Sequence, residues 1–143
     1  MHHVCIVVED LDKAVAYYES VGVGPWTDFP SLEAFRGDLS VPDVDAFMGL
    51  RFRWCNLENV QLQLCEPGLG GSPQRAFLDS HGEGVFHLGF TVNDLDSAEQ
   101  DAVKLGLNPW MRGRLPDRSG FTYFDTRDKG AGITLEIRAN RRA

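Results

Sequence analysis

The chain repeats itself, and the repeat limits its folds more than any other feature. Displaced by 84 residues, His3–Trp26 (HVCIVVEDLDKAVAYYESVGVGPW) aligns without a gap on His87–Trp110 (HLGFTVNDLDSAEQDAVKLGLNPW). Nine of the 24 positions are identical, among them His3/His87, Asp10/Asp94, Gly22/Gly106 and Trp26/Trp110. Self-similarity of this kind means one supersecondary unit used twice. Each copy opens with a short apolar, β-branched segment, Val4–Val8 or Leu88–Val92, which reads as a buried strand. A helix follows, entered through an Asp N-cap candidate in Asp-Leu-Asp and closed by a glycine, Gly22 or Gly106.

Further strands are expected at Leu50–Cys55 and Val60–Glu66 in the first copy. The second should hold Asn108–Arg114, Phe121–Asp125 and Ile133–Arg138. Thr27–Gly49, with Pro30, Pro42 and several acidic residues, reads as one strand and a mobile loop. The Gly-rich stretch Pro67–Gly84 carries a helical signal at Pro73–Ser80 behind the N-cap candidate Ser72. The organisation expected is therefore one α+β domain over residues 1–143: a βαβββ module at 1–66, a linker at 67–84 and a second module at 85–143.

The last strands of the two copies also align, at an offset of 73 (VQLQL at 60–64 on ITLEI at 133–137), which sets Gln63 against Glu136. Strand parity puts Val60, Leu62 and Leu64 on one face and Gln61 and Gln63 on the other, as it does Leu135 against Thr134 and Glu136. With the apolar faces under the helices, a pseudo-two-fold axis brings His3, Gln63, His87 and Glu136 together on the concave face. Two imidazoles, an amide oxygen and a carboxylate suit Co²⁺, Zn²⁺, Ni²⁺, Mn²⁺ or Fe²⁺ and leave coordination positions open. His2 adjoins His3, but only His3 aligns with His87.

Composition narrows the function classes. A net charge of −7 argues against a nucleic-acid partner. No apolar run approaches the roughly 20 residues that span a bilayer, and no signal peptide is visible. Three scattered cysteines, Cys5, Cys55 and Cys65, do not suggest a disulfide framework, so a reducing cytoplasm is expected. Arg112, Arg114, Arg118, Arg127 and Lys129 form a local basic stretch suited to an anionic small-molecule ligand, or to solvent.

Several motifs carry a family resemblance: HVCIVVEDL from His3, QLCEP from Gln63, the run Ser72-Pro73…Phe77-Leu78…Gly82-Glu83-Gly84-Val-Phe-His87, and the closing Gly132-Ile-Thr-Leu-Glu136. The chain resembles the vicinal oxygen chelate superfamily over nearly its whole length, and within it is most similar to the methylmalonyl-CoA epimerases. The resemblance implies a glyoxalase-like cupped mixed sheet with its helices outside. It also implies a homodimer and a metal set of His3, Gln63, His87 and Glu136. The implied chemistry is α-proton abstraction with metal stabilisation of the enolate, on an acyl-CoA such as methylmalonyl-CoA. Glu136 is then ligand and candidate proton shuttle.

The epimerases carry a separate glutamate base ahead of the third strand; here Val41–Leu50 has none, leaving Asp45 or Asp43 as the candidate base. Arg112, Arg114, Lys129 and Tyr123 are the candidate substrate contacts. Two other readings stay open. One is a non-haem Fe(II) ring-cleaving dioxygenase on a His3–His87–Glu136 triad with Tyr123 as acid/base. The other is a non-catalytic binding or resistance protein stacking a planar ligand on Trp26, Trp54, Trp110 or Phe29.

Overall fold

The computed structural model describes residues 1–140. A frayed basic tail is expected over Ala139–Ala143; Ala139 in fact closes the last strand, and 141–143 lie outside the described residues. In chain order the elements are β1 (His3–Val7), α1 (Leu11–Ser20), β2 (Thr27–Asp28), a 3₁₀ segment (Leu32–Asp38), β3 (Leu39–Ser40), α2 (Val44–Met48), β4 (Arg51–Asn56) and β5 (Gln61–Glu66). Then come α3 (Pro73–His81), β6 (Gly84–Thr91), α4 (Leu95–Lys104), β7 (Pro109–Arg114), β8 (Gly120–Phe124) and β9 (Thr134–Ala139).

The strands form one mixed sheet ordered β2-β4-β5-β1-β6-β9-β8-β7-β3. Its centre is the antiparallel pair β1–β6, and the half β1-β5-β4-β2 reads outward as β6-β9-β8-β7 does. In both halves the first strand is parallel to the last, β1 to β5 and β6 to β9. A parallel neighbour requires a crossover, and α1 and α4 begin the two crossovers. Asp10 and Asp94 cap them, accepting from Lys13 N and Ser97 N, and Ser72 caps α3 through Arg75 N.

Strand parity assigns the two faces. Leu64 joins Val8, Leu11 and Val15 in a cluster on the α1 side. The opposite, concave face carries the larger core, in which Cys5, Cys65, Phe86, Met111 and Phe121 pack with α2 and α3. No helix among the described residues is long and apolar enough to cross a membrane.

The segment expected to be one strand and a mobile loop is built differently. Thr27–Gly49 holds two two-residue strands, the 3₁₀ segment and α2, whose Phe47 is buried in the concave core. β2 pairs with β4 at one end of the sheet and β3 with β7 at the other. Ten residues, 29–38, therefore join the two extremes of a nine-stranded sheet, which only a strongly curled sheet allows. The segment lies as a strap across the mouth of the cup.

Candidate metal centre

Register fixes which side chains meet. Across β5, β1, β6, β9 and β8 runs one row: Gln61, His3, Gly89, Glu136, Tyr123. The next row runs Gln63, Cys5, His87, Thr134 over β5, β1, β6 and β9. His3 and Glu136 are thus two strands apart, about 10 Å between backbones, with Gly89 between them. A Cβ on residue 89 would be driven into the His3 ring, so glycine here is what lets the imidazole lie across β6 toward the carboxylate. The other row has its own small residue, Cys5, between Gln63 and His87.

The result is a tight triangle. Glu136 Oε2 lies 2.7 Å from His3 Nε2 and 3.0 Å from His87 Nε2, and the two Nε2 atoms are 2.9 Å apart. All three residues are buried. The contacts to Oε2 are close in distance, yet neither has the alignment of a hydrogen bond, and Oε2 is left without a partner. The one hydrogen bond of the triangle joins the two imidazoles, while Oε2, buried and without a partner, is a donor atom that a shared cation would satisfy. Two imidazole nitrogens and a carboxylate oxygen lying this close together could all reach one divalent cation.

Around the triangle, His3 Nδ1 bonds His2 Nδ1 at 2.8 Å, which fixes the ring's orientation. Gln63 donates through Nε2 to Gln61 Oε1 at 2.7 Å, and Gln61 in turn donates to Asn56 Oδ1. That chain uses the nitrogen end of the Gln63 amide, so the oxygen is the end available to another partner. Burial alone would raise the Glu136 carboxyl; the two imidazoles beside it outweigh burial and hold it at about 2. Burial lowers His87 and so favours the neutral, ligating imidazole. The same burial pushes the Cys5 thiol well up, which keeps it a thiol rather than a thiolate ligand.

The triangle opens on a cavity of about 390 Å³ lined by His3, Gln63 and Glu136, by Tyr123 and Arg138, and by five phenylalanines, Phe29, Phe35, Phe47, Phe52 and Phe121. Residues 2–124 match the sequence profile of the Glyoxalase/Bleomycin resistance protein/Dioxygenase superfamily. The chain belongs to that superfamily.

Solved structures agree on the superfamily fold. Methylmalonyl-CoA epimerase from Mycobacterium tuberculosis is 23% identical, with a TM-score of 0.73 over 99% of this chain and 87% of that one. A Streptomyces coelicolor methylmalonyl-CoA epimerase variant in complex with 2-nitronate-propionyl-CoA is 22% identical, with a TM-score of 0.73 over 100% and 95%. A hypothetical protein from Bacillus halodurans is 16% identical, with a TM-score of 0.74 over 100% and 95%. No curated protein sequence matches the chain.

Within this superfamily fold the other residues singled out from sequence divide sharply. Tyr123 lines the cavity, its ring 4.8 Å from that of His87, and Phe29 lines it too. The three tryptophans do not. Arg112 and Arg114 are not brought to the cavity. Their neighbours Met111 and Gly113 face the core, so parity turns 112 and 114 toward α4. There Arg114, fully buried, bonds Asp96, Glu99, Thr122 and the Phe121 carbonyl, while Arg112 bonds Glu99. These arginines hold a helix to the sheet.

Lys129 is exposed in the β8–β9 connection, away from the cavity lining. Asp45 is exposed in the first turn of α2 and does not line the cavity either. Asp43 is occupied as the α2 N-cap, accepting from Ala46 N and Gly71 N. Three participants escaped the sequence reading: His2, Gly89 and Arg138. The repeat does carry a signal for Gly89, since it aligns with Cys5 and so marks the small residue of each row.

Proposed function

We propose that the protein is a divalent-metal-dependent epimerase, isomerase or lyase that removes a proton α to a carbonyl. His3, His87 and Glu136, with Gln63 as fourth ligand, would hold the cation. A metal there supplies Lewis-acid polarisation of the substrate carbonyl and stabilises enolate charge. The observation that carries the reading is the buried triangle of two imidazole nitrogens and Oε2, close enough together to share one ion, with Oε2 left without a hydrogen-bond partner.

The chain's own groups do the rest. Both close contacts of Glu136 run through Oε2, so Oε1 is the atom left to take the α proton. The strap and the phenylalanine walls make the cavity lining largely apolar, which strengthens charge interactions at the triangle. Methylmalonyl-CoA, the ligand named for related structures, is the first substrate to try.

One observation favours a second reading, a binding protein without turnover. Glu136 is the only carboxylate among the described cavity residues, and both imidazoles hold it in a weakly basic state. Deuterium wash-in at the α carbon of methylmalonyl-CoA, followed by mass spectrometry with wild type and E136A each loaded with Co²⁺, separates the two. Exchange by wild type and none by E136A supports the enzyme. Saturable binding without exchange, across this thioester and simple α-acidic ketones, supports the binding protein.

A further inference from the structure

Arg138 is unlike every other described arginine. The other eight each have a carboxylate oxygen within 4.0 Å; Arg138 has none among the described residues, in a chain of net charge −7. Its Nη2 donates to Asn140 Oδ1 at 2.9 Å, and its Nη1 lies 3.5 Å from His2 Nδ1. Its Nε is buried and bonded to nothing. A guanidinium with a buried, unused N–H wants an anion, and carboxylates meet its fork geometry best.

Arg138 also stands where a ligand would find it. It lines the cavity, and it lies two residues from Glu136 on β9, hence on the same face and about 7 Å further along the strand. Beyond it the wall is aromatic. Phe29 packs on Phe52 with centroids 5.1 Å apart, and Phe121 packs on Phe35 at 5.1 Å and Phe47 at 5.6 Å. These rings come from the strap, α2, β4 and β8, and together they form a preorganised apolar slot.

We propose that the cavity selects a compact aromatic carboxylic acid, its ring among the phenylalanines, its carboxylate on Arg138 and a second oxygen at the His3–His87–Glu136 triangle. The assignment rests on the metal-site reading above for that second oxygen, while ring and carboxylate recognition stand on Arg138 and the phenylalanines alone. An aliphatic acyl thioester would leave the aromatic slot unused, and only one with a free carboxylate would meet Arg138.

A suitable probe is 4-oxo-4-phenylbutanoate, which offers a ring, a ketone oxygen and a carboxylate within one small molecule. Isothermal titration against the Co²⁺-treated protein compares it with its methyl ester and with levulinate, which lacks the ring. The acid should bind at least about tenfold more tightly than either, since a charge-assisted pair and a buried ring each contribute that much. R138M should erase the acid-to-ester ratio, with ester affinity and bound cobalt within twofold of wild type. Equal binding of acid and ester to wild type overturns the proposal, as does equal binding of levulinate, and neither result depends on a variant folding. Bound cobalt, measured separately by elemental analysis, tests the metal reading. A protein that holds no cobalt but keeps both ratios refutes that reading and retains this one, and a protein with cobalt but neither ratio does the reverse.

Discussion

Loading the site with metal should stabilise the fold by a predictable amount. The three proposed ligands of the triangle stand at positions 3, 87 and 136 on three strands, so the unfolded chain has no means of presenting them together. A cation that binds only the folded state adds RT ln(1 + [M]/Kd), about 2.7 kcal/mol at one hundred times Kd. A domain of 143 residues unfolds with an entropy of about 0.3 kcal/mol/K, so the midpoint should rise by about 9 °C. Differential scanning fluorimetry at pH 7.5 in Chelex-treated buffer, with Co²⁺ titrated to saturation, reads this directly. E136A should show no more than about 2 °C of residual shift, because the carboxylate supplies the only charge of the ligand set. The same 9 °C in E136A would place the cation elsewhere and refute the triangle as its site. No shift in wild type, at cobalt concentrations into the millimolar range, would refute metal binding altogether.

Other outcomes follow from the same geometry. R114M leaves Asp96 and Glu99 facing a buried gap and should cost about 3–5 kcal/mol in urea unfolding with bound metal unchanged, whereas a substrate-binding arginine would lower affinity and spare stability. Asp96 is held at about 2, chiefly by its hydrogen bonds from Arg118 against some burial, with Arg114 assisting. A depressed carboxyl stabilises above its unfolded value and loses that contribution as pH falls, so wild type should exceed D96N by about 1 kcal/mol at pH 6, after discounting for its partial exposure, and the gap should close between about pH 4 and pH 2 in urea titrations. G89A should displace the His3 ring and weaken cobalt binding by at least about tenfold in chelator competition, while H2A, which removes the bond that orients His3 along with a contact to Arg138, should cost about 10–100-fold. D45N should change neither metal content nor stability.

What was legible in the sequence was whatever the repeat states twice. Asp10 and Asp94, Gly22 and Gly106, His3 and His87 each corroborate the other, and parity along Val60–Leu64 and Ile133–Ile137 assigns the faces without any knowledge of the fold. Thr27–Gly49 has no such counterpart. The offset between the two copies drops from 84 to 73 across it, so the first module carries an insertion of 84 − 73 = 11 residues with nothing to align against. Its strands are two residues long and exist only through pairing with β4 and β7, which no local pattern encodes. The arginine stretch misled for a different reason. Charge clustering along the chain fits either an anionic ligand or solvent, but parity on β7 sends 112 and 114 to the helix side, where they pair with Asp96 and Glu99 of α4.

The departures from symmetry locate the chemistry. At the offset of 73, Gln63 answers Glu136 and Cys65 answers Arg138, so the first module contributes a neutral pair where the second contributes an acid and a base. Cys65 is fully buried against the core, whereas Arg138 reaches the cavity. The insertion that breaks the repeat supplies the strap, and with it Phe29 and Phe35 over the same side of the cup. Duplication alone would have produced two equivalent half-sites related by the axis between β1 and β6. The divergence of residues 136 and 138 from their counterparts, together with one 11-residue insertion, merges those half-sites into a single cavity with charge at one wall and aromatic rings at the other. A symmetric scaffold thereby holds the proposed metal ligands, and the asymmetric additions determine what can be brought to them.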